Sequence, residues 1–175
     1  MASLKLLLTL ALALAPHINS VEGISCFSCT GSCASQKPQK CPDGETCISV
    51  KTIVNKNGVV NFESYKGCAG TSLCPSPGPK NFSINFGTES VLGRAECCDE
   101  NNCNGAEASS PEIPGPGSLQ CFRCDPLTNN CNTSLNCSVL ETGCFQSTLT
   151  PSDSMVSGPA HGCSSVNLCS ALGPS

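Results

Sequence analysis

The chain has 175 residues, 17 of them cysteine, with one tyrosine, no tryptophan and a formal net charge of −4. So mild an acidity excludes the basic face that a nucleic-acid binder needs, and the few large apolar side chains exclude a sizeable hydrophobic core. Cysteine at about a tenth of the residues behind an apolar leader points to an exported protein held together by disulfides, each contributing roughly 2–4 kcal/mol.

Residues 1–23 read as a secretory signal. Lys5 gives a basic start, Leu6 to Ala15 form an apolar core too short to span a membrane, and Pro16 ends it. Small residues allow cleavage after Ser20 or Gly23, and Gly23 is favoured because Val21 also suits the −3 position. From Cys26-Phe27-Ser28-Cys29 onward a unit over 24–105 carries Cys33, Cys41, Cys47, Cys68 and Cys74, and closes on Cys97-Cys98-Asp99-Glu100-Asn101-Asn102-Cys103-Asn104. Adjacent cysteines are badly placed to bond each other. Cys98 can close the short loop to Cys103, which leaves Cys97 to reach back up the chain.

Within this unit Thr46 to Val54 is rich in β-branched residues, Asn55-Lys56-Asn57-Gly58 is a turn, and Val59 to Lys66 returns as a hairpin partner. Asn81 to Phe86 alternates Phe82, Ile84 and Phe86 as a half-buried strand would, and Arg94 to Cys97 is expected to form a last strand. Residues 106–118, with Pro111, Pro114 and Pro116, have the composition of a linker.

The pattern then repeats over 119–175. Cys121-Phe122-Arg123-Cys124 matches the first opening, Cys131, Cys137, Cys144, Cys163 and Cys169 follow in the same order, and Gly162-Cys163 matches Gly67-Cys68. A strand is expected over Gly143 to Thr150, a turn at Pro151-Ser152-Asp153, and a return towards Cys163. Nothing here matches Cys97, Cys98 and Cys103, so the repeat lacks its last strand and Cys169 lacks a partner. The favoured explanation is a truncated transcript or gene model; the alternative is a free thiol that makes an intermolecular bridge and hence an oligomer. This partial unit is expected to be looser than the complete one. No apolar tail follows Leu168 that would signal a lipid anchor, and no long amphipathic helix is expected.

The residues offer little chemistry. Cys26-x2-Cys29 and Cys121-x2-Cys124 have the spacing of zinc ligands, but the ten-position cysteine pattern and the export signal favour bridges, so no metal and no cofactor are expected. His161 is the one imidazole outside the leader and reads as a solvated loop residue; Asp99 and Glu100 sit in a small loop facing water. Without a nucleophile–base set the chain does not read as an enzyme. Three sequons, at Asn81, Asn132 and Asn136, are candidate glycan sites; Asn136 is the weakest because Cys137 occupies the middle position.

Taken together, Cys-x2-Cys, ten cysteines and the ending Cys-Cys-x4-Cys-Asn resemble the three-finger domain of the urokinase receptor and lymphocyte antigen (LU) family. The resemblance implies a small, all-β, disulfide-rich fold of tandem three-finger domains, the second truncated. It implies the pairs Cys26–Cys47, Cys29–Cys33, Cys41–Cys68, Cys74–Cys97 and Cys98–Cys103, then Cys121–Cys144, Cys124–Cys131 and Cys137–Cys163, with Cys169 unpaired. Asn104 corresponds to the asparagine that hydrogen-bonds the bridge knot. The tandem arrangement, with Phe82-Ser83-Ile84-Asn85-Phe86-Gly87 before Arg94-Ala95-Glu96-Cys97-Cys98, looks like the gamma-type phospholipase A2 inhibitors. That implies a secreted, extracellular binding protein that blocks a secreted phospholipase A2 sterically. Contact is expected from the second finger around Asn55 to Phe62, with Lys51, Lys56, Val59 and Val60, and from the third around Asn81 to Phe86. The alternative is an extracellular or cell-surface interaction module in signalling or adhesion, since LU domains host many unrelated partners.

Overall fold

In the computed structural model, residues 23–125, 127–149 and 158–172 are described. The signal segment up to residue 22 and the turn at Pro151-Ser152-Asp153 lie outside them. Ten strands run in chain order: β1 (Ser25–Gly31), β2 (Lys37–Lys40), β3 (Thr46–Lys56), β4 (Val59–Ala69), β5 (Gly78–Asn85), β6 (Glu89–Cys98), β7 (Pro116–Arg123), β8 (Thr133–Ser138), β9 (Gly143–Leu149) and β10 (Gly158–Ser164). One short helix, α1 (Val166–Leu172), follows β10. β7 starts at Pro116, inside the stretch read as linker, and β6 starts well before Arg94, because Glu89 onward pairs with β3 and Ser90 onward with β5.

All pairings are antiparallel. One eight-stranded sheet has the order β2-β1-β4-β3-β6-β5-β10-β9, and β7 with β8 forms a second sheet. The β3–β4 hairpin turns at Asn57 and Gly58, with φ of 51° and 82°. Both values lie in the left-handed region that a two-residue turn of this twist needs, which is what Asn-Gly supplies. The Asn55 side-chain oxygen accepts the Gly58 N–H at 3.0 Å.

Sulfur fills the interior. Cys26, Cys41 and Cys47 form one cluster with Ile24, Cys68, Cys98 and Cys103 packed against it. Ile48, Val50, Ala69, Cys74, Ala95 and Cys97 form a second, joined by Leu73 and Phe82. Cys121, Cys137 and Cys163 form the third, with Leu119 and Leu135. Ile48 is the largest side chain fully removed from water. A core of this kind buries little apolar area, so the crosslinks carry the stabilisation that packing supplies in larger domains.

The residues after Gly105 are strapped to the first half. The buried Lys66 amine donates to the Gly105 carbonyl at 2.5 Å and to Gln36 at 2.9 Å. The Ala108 N–H donates to the Ser49 hydroxyl at 3.1 Å, and Glu107 pairs with Lys51 at 3.5 Å. The C-terminal half then zips onto the third finger. β10 pairs with β5 at Cys163–Asn85 and Ser164–Ile84. Gly162 lies so close to the Asn85 carbonyl that a Cβ there would collide with it. Ser83 on β5 is held from both sides. Its backbone exchanges bonds with Ser165, and its hydroxyl donates to Glu141 at 2.6 Å.

This contact corrects the expected orientation of β5. Ser83, 4% exposed, is its deepest residue, whereas Phe82, Ile84 and Phe86 are half-buried. The strand has a paired neighbour on each edge, β6 and β10, and Ser165 and Glu141 cover Ser83, so the simple in–out alternation does not hold. No helix among the described residues is long and apolar enough to cross a membrane.

Candidate binding surface

Eight disulfides link Cys26–Cys47, Cys29–Cys33, Cys41–Cys68, Cys74–Cys97, Cys98–Cys103, Cys121–Cys144, Cys124–Cys131 and Cys137–Cys163. Cys169, half-buried on α1, is free. Asn104 is 3% exposed, and its side-chain oxygen accepts the Phe27 N–H at 2.9 Å. Its amide donates to the carbonyls of Phe27 and Ile48, both at 2.9 Å. One side chain thus satisfies backbone groups on β1 and β3 and ties the closing segment to them.

Three groups of side chains have metal-like proximity: Cys26, Cys41 and Cys68; Cys121, Cys137 and Cys163; and Cys124, Cys131 with His161. Every sulfur in them is already bonded to another sulfur, so none is a thiolate donor. His161 lies in β10, half-buried beside the Cys124–Cys131 bridge, not in a solvated loop as its glycine neighbour had led us to expect. Strand pairing with Gln146 on β9 places it there. Asp99 and Glu100 are exposed. Asp125, at the surface, has its carboxyl held below the ordinary value by the N–H groups of Leu127 and then Thr128, which its oxygen accepts at 2.8 and 3.0 Å. This is a loop cap.

What the molecule presents is a shaped surface. Across the sheet, Phe62 faces Ile53, Ile53 faces Leu92, and Leu92 faces Ser83. Cross-strand partners share a face, so these residues form an apolar row that ends at Ser83. Val60 and Phe62 are 50% and 67% exposed along it, and Ile113 of the strap, 83% exposed, stands on its far side. Between them lies a shallow, largely apolar hollow of about 320 Å³, floored by Ile53 and Leu92. Val59, by contrast, pairs with Lys56 on the opposite face. The cations of β3 and β6 are each matched by a carboxylate: Lys51 by Glu107, Lys56 by Glu89 at 3.0 Å and Arg94 by Glu96 at 3.5 Å. Lys56 shares the opposite face with Val59, so the matched cations on the face of the hollow are Lys51 and Arg94.

Sequence reasoning located the second and third fingers but missed Ile113, Ser83, Ser165 and Glu141. Ile113 looked like a linker residue, and its only signal was a lone large apolar side chain among prolines. The sequon residues Asn81, Asn132 and Asn136 are all exposed; the Asn81 carbonyl accepts Asn167 at 2.8 Å, and Asn136 accepts Gln120 at 2.9 Å.

No family model matches the chain. Among curated proteins it is 28% identical to the CD177 antigen of Mus musculus over 118 residues, which is 62% of this chain and 14% of that protein. It is 28% identical over 105 residues to the phospholipase A2 inhibitor NAI of Notechis ater, covering 55% of this chain and 51% of the inhibitor. It is also 28% identical over 100 residues to Ly6/PLAUR domain-containing protein 8 of Mus musculus, covering 55% of this chain and 37% of that protein. The chain thus spans about half or less of the length of these relatives. Three-finger fold, bridge pattern and relatives together make the chain similar to proteins of the urokinase receptor/lymphocyte antigen (LU) family, the phospholipase A2 inhibitors among them.

Proposed function

We propose that the chain is a secreted, non-enzymatic binding protein that inhibits a secreted phospholipase A2 by covering it. The observation that carries this reading is the apolar row of Val60, Phe62 and Ile113, on a protein similar to a phospholipase A2 inhibitor. Exposed apolar side chains on strands stapled by disulfides bind with little further ordering cost. Steric cover of an enzyme's lipid-facing mouth needs no chemistry from the inhibitor. In this reading residues 1–23 are a removed signal, 24–105 a complete LU domain, 106–118 the connection and 119–175 a partial second domain. Asn81, Asn132 and Asn136 are glycan acceptors in an extracellular protein.

The test is to mix the purified chain with a panel of secreted phospholipases and measure both binding and lipid hydrolysis. Binding with loss of hydrolysis, both weakened about tenfold or more by Phe62→Asp, supports the proposal; no effect on any phospholipase overturns it. The second reading is an extracellular or cell-surface interaction module without inhibitor activity. The similarity to the CD177 antigen and to Ly6/PLAUR domain-containing protein 8 favours it. Binding that leaves hydrolysis untouched selects that reading.

A further inference from the structure

The apolar hollow over Ile53 and Leu92 has a neighbour on the same face of the sheet. Leu92, Ile113 and Pro114 line both. The second hollow, about 300 Å³, is bounded in addition by Asn81, Arg94 and Val139. Strand pairing explains the set. Asn81 on β5 stands directly opposite Arg94 on β6, and Leu92 is two residues from Arg94, so all three project from one face. The strap contributes Ile113 and Pro114, and the segment after β8 contributes Val139, 58% exposed.

Two observations point to what fills this hollow. Asn81 is the acceptor residue of the triplet Asn81-Phe82-Ser83, and it borders the hollow as an exposed residue. Arg94 holds a spare donor there. Its Nε–H is buried and makes no hydrogen bond among the described residues, although a Glu96 oxygen lies 3.5 Å away. A buried donor without an acceptor is unfavourable, so this guanidinium, 27% exposed, favours an acceptor that enters beside it. The other sequons are placed differently. Asn136 on β8 bonds Gln120 on β7, Asn132 precedes β8, and neither borders either hollow.

We propose that Asn81 carries an N-linked glycan whose first N-acetylglucosamine lies in this hollow, and that the glycan closes the apolar face to a protein partner. The inference rests on the export and binding reading given under the proposed function. Attachment is a group transfer. Asn81 Nδ2 bonds to C1 of the sugar, the bond from C1 to a lipid-diphosphate donor breaks, the diphosphate leaves with the electron pair, and one amide proton is released. The first sugar offers an apolar ring face to Leu92, Ile113 and Val139, and an acetamide carbonyl to Arg94. The sugars beyond it start from β5, and β4 with Phe62 lies three strand spacings away, roughly 14 Å. A bulky hydrated chain rooted there keeps a macromolecule off the row of Val60, Phe62 and Ile113. The protein thus has two forms: an occupied one with this face covered, and an unoccupied one that binds.

The test secretes the full chain from a eukaryotic host that makes oligomannose glycans, beside Asn81→Gln and Asn132→Gln variants. Peptide mass spectrometry is expected to find sugar on Asn81. After an endoglycosidase trims it to one N-acetylglucosamine, the acetamido methyl is expected to show NOEs to the methyls of Leu92 and Ile113. The untrimmed, Asn81-occupied chain is expected to bind a secreted phospholipase A2 about tenfold or more weakly than Asn81→Gln, with Asn132→Gln matching the parent. No sugar on Asn81, or a sugar without those NOEs, overturns the proposal, and so does equal binding by the occupied chain and Asn81→Gln. If neither form binds any phospholipase, the inhibitor reading fails alone, and an apolar-surface dye decides the closing of the face. The occupied chain is expected to enhance anilinonaphthalene sulfonate fluorescence less than Asn81→Gln; equal enhancement overturns the proposal.

Discussion

β3 and β9 occupy matching places in the two halves, yet one is buried between two neighbours and the other, among the described residues, pairs with one. The difference shows where stability resides in a sheet this poor in apolar side chains. The same hairpin and the same kind of crosslink give a core in the first half, because β6 brings Ala95, Cys97 and Cys98 across β3. In the second half Cys121, Cys137 and Cys163 still cluster, but Cys144 beside them faces water. Crosslinks hold strands near one another, and the closing strand is what removes them from solvent.

The comparison breaks most readily at the bridges. A Cys26→Ser, Cys47→Ser chain is expected to lose about 2–5 kcal/mol, seen as a collapse of the melting transition. Replacing Cys124 and Cys131, both partly exposed, should cost markedly less in the same melt. Next is Asn104→Ala, which strands the Phe27 N–H and two carbonyls in the interior. A loss of about 3 kcal/mol is expected, with amide protection falling in β1 and β3 and not in β9. Glu141→Ala removes the acceptor of the Ser83 hydroxyl and of the Ser138 N–H. It should cost about 1–3 kcal/mol and raise protease cleavage within β9 and β10 selectively; equal resistance of both halves would contradict the contrast drawn between them. Lys56→Ala, which breaks an exposed pair with Glu89, is expected to change stability by less than about 1 kcal/mol.

The smallest effect is on pH. Asp125 binds its proton more weakly folded than unfolded, so its capping contribution is complete above the ordinary aspartate range. It is lost only as pH falls through the depressed folded value. Amide shifts of Leu127 and Thr128, followed by NMR down an acid titration, should move later than those reporting an ordinary aspartate.

The legible parts of this molecule were those written in spacing. Cys97-Cys98-x4-Cys103-Asn104 carries the closing of the first half, Asn57-Gly58 its long hairpin, and the recurrence from Cys121 to Cys169 the plan of the second. What stayed hidden was set by single polar contacts without period. Lys66 looks like a solvated strand residue, yet its buried amine ties down the carbonyl of Gly105. Ser83, Ser165 and Glu141 are unremarkable in sequence, and together they decide that β10 joins β5. α1 went unread because so short a segment, Val166–Leu172, shows hardly any periodic signal.

The hydroxyl of Ser83 is also the third letter of the Asn81-Phe82-Ser83 acceptor triplet, and in the folded molecule it is shut beneath Glu141. The transferase that decorates such a triplet reads that hydroxyl, so it must act before the halves meet. In the export reading proposed above, a sugar on Asn81 would be a timestamp, marking chains that lingered open in the secretory lumen. Its fractional occupancy would then serve as a clock for how fast the two halves close on each other during biosynthesis.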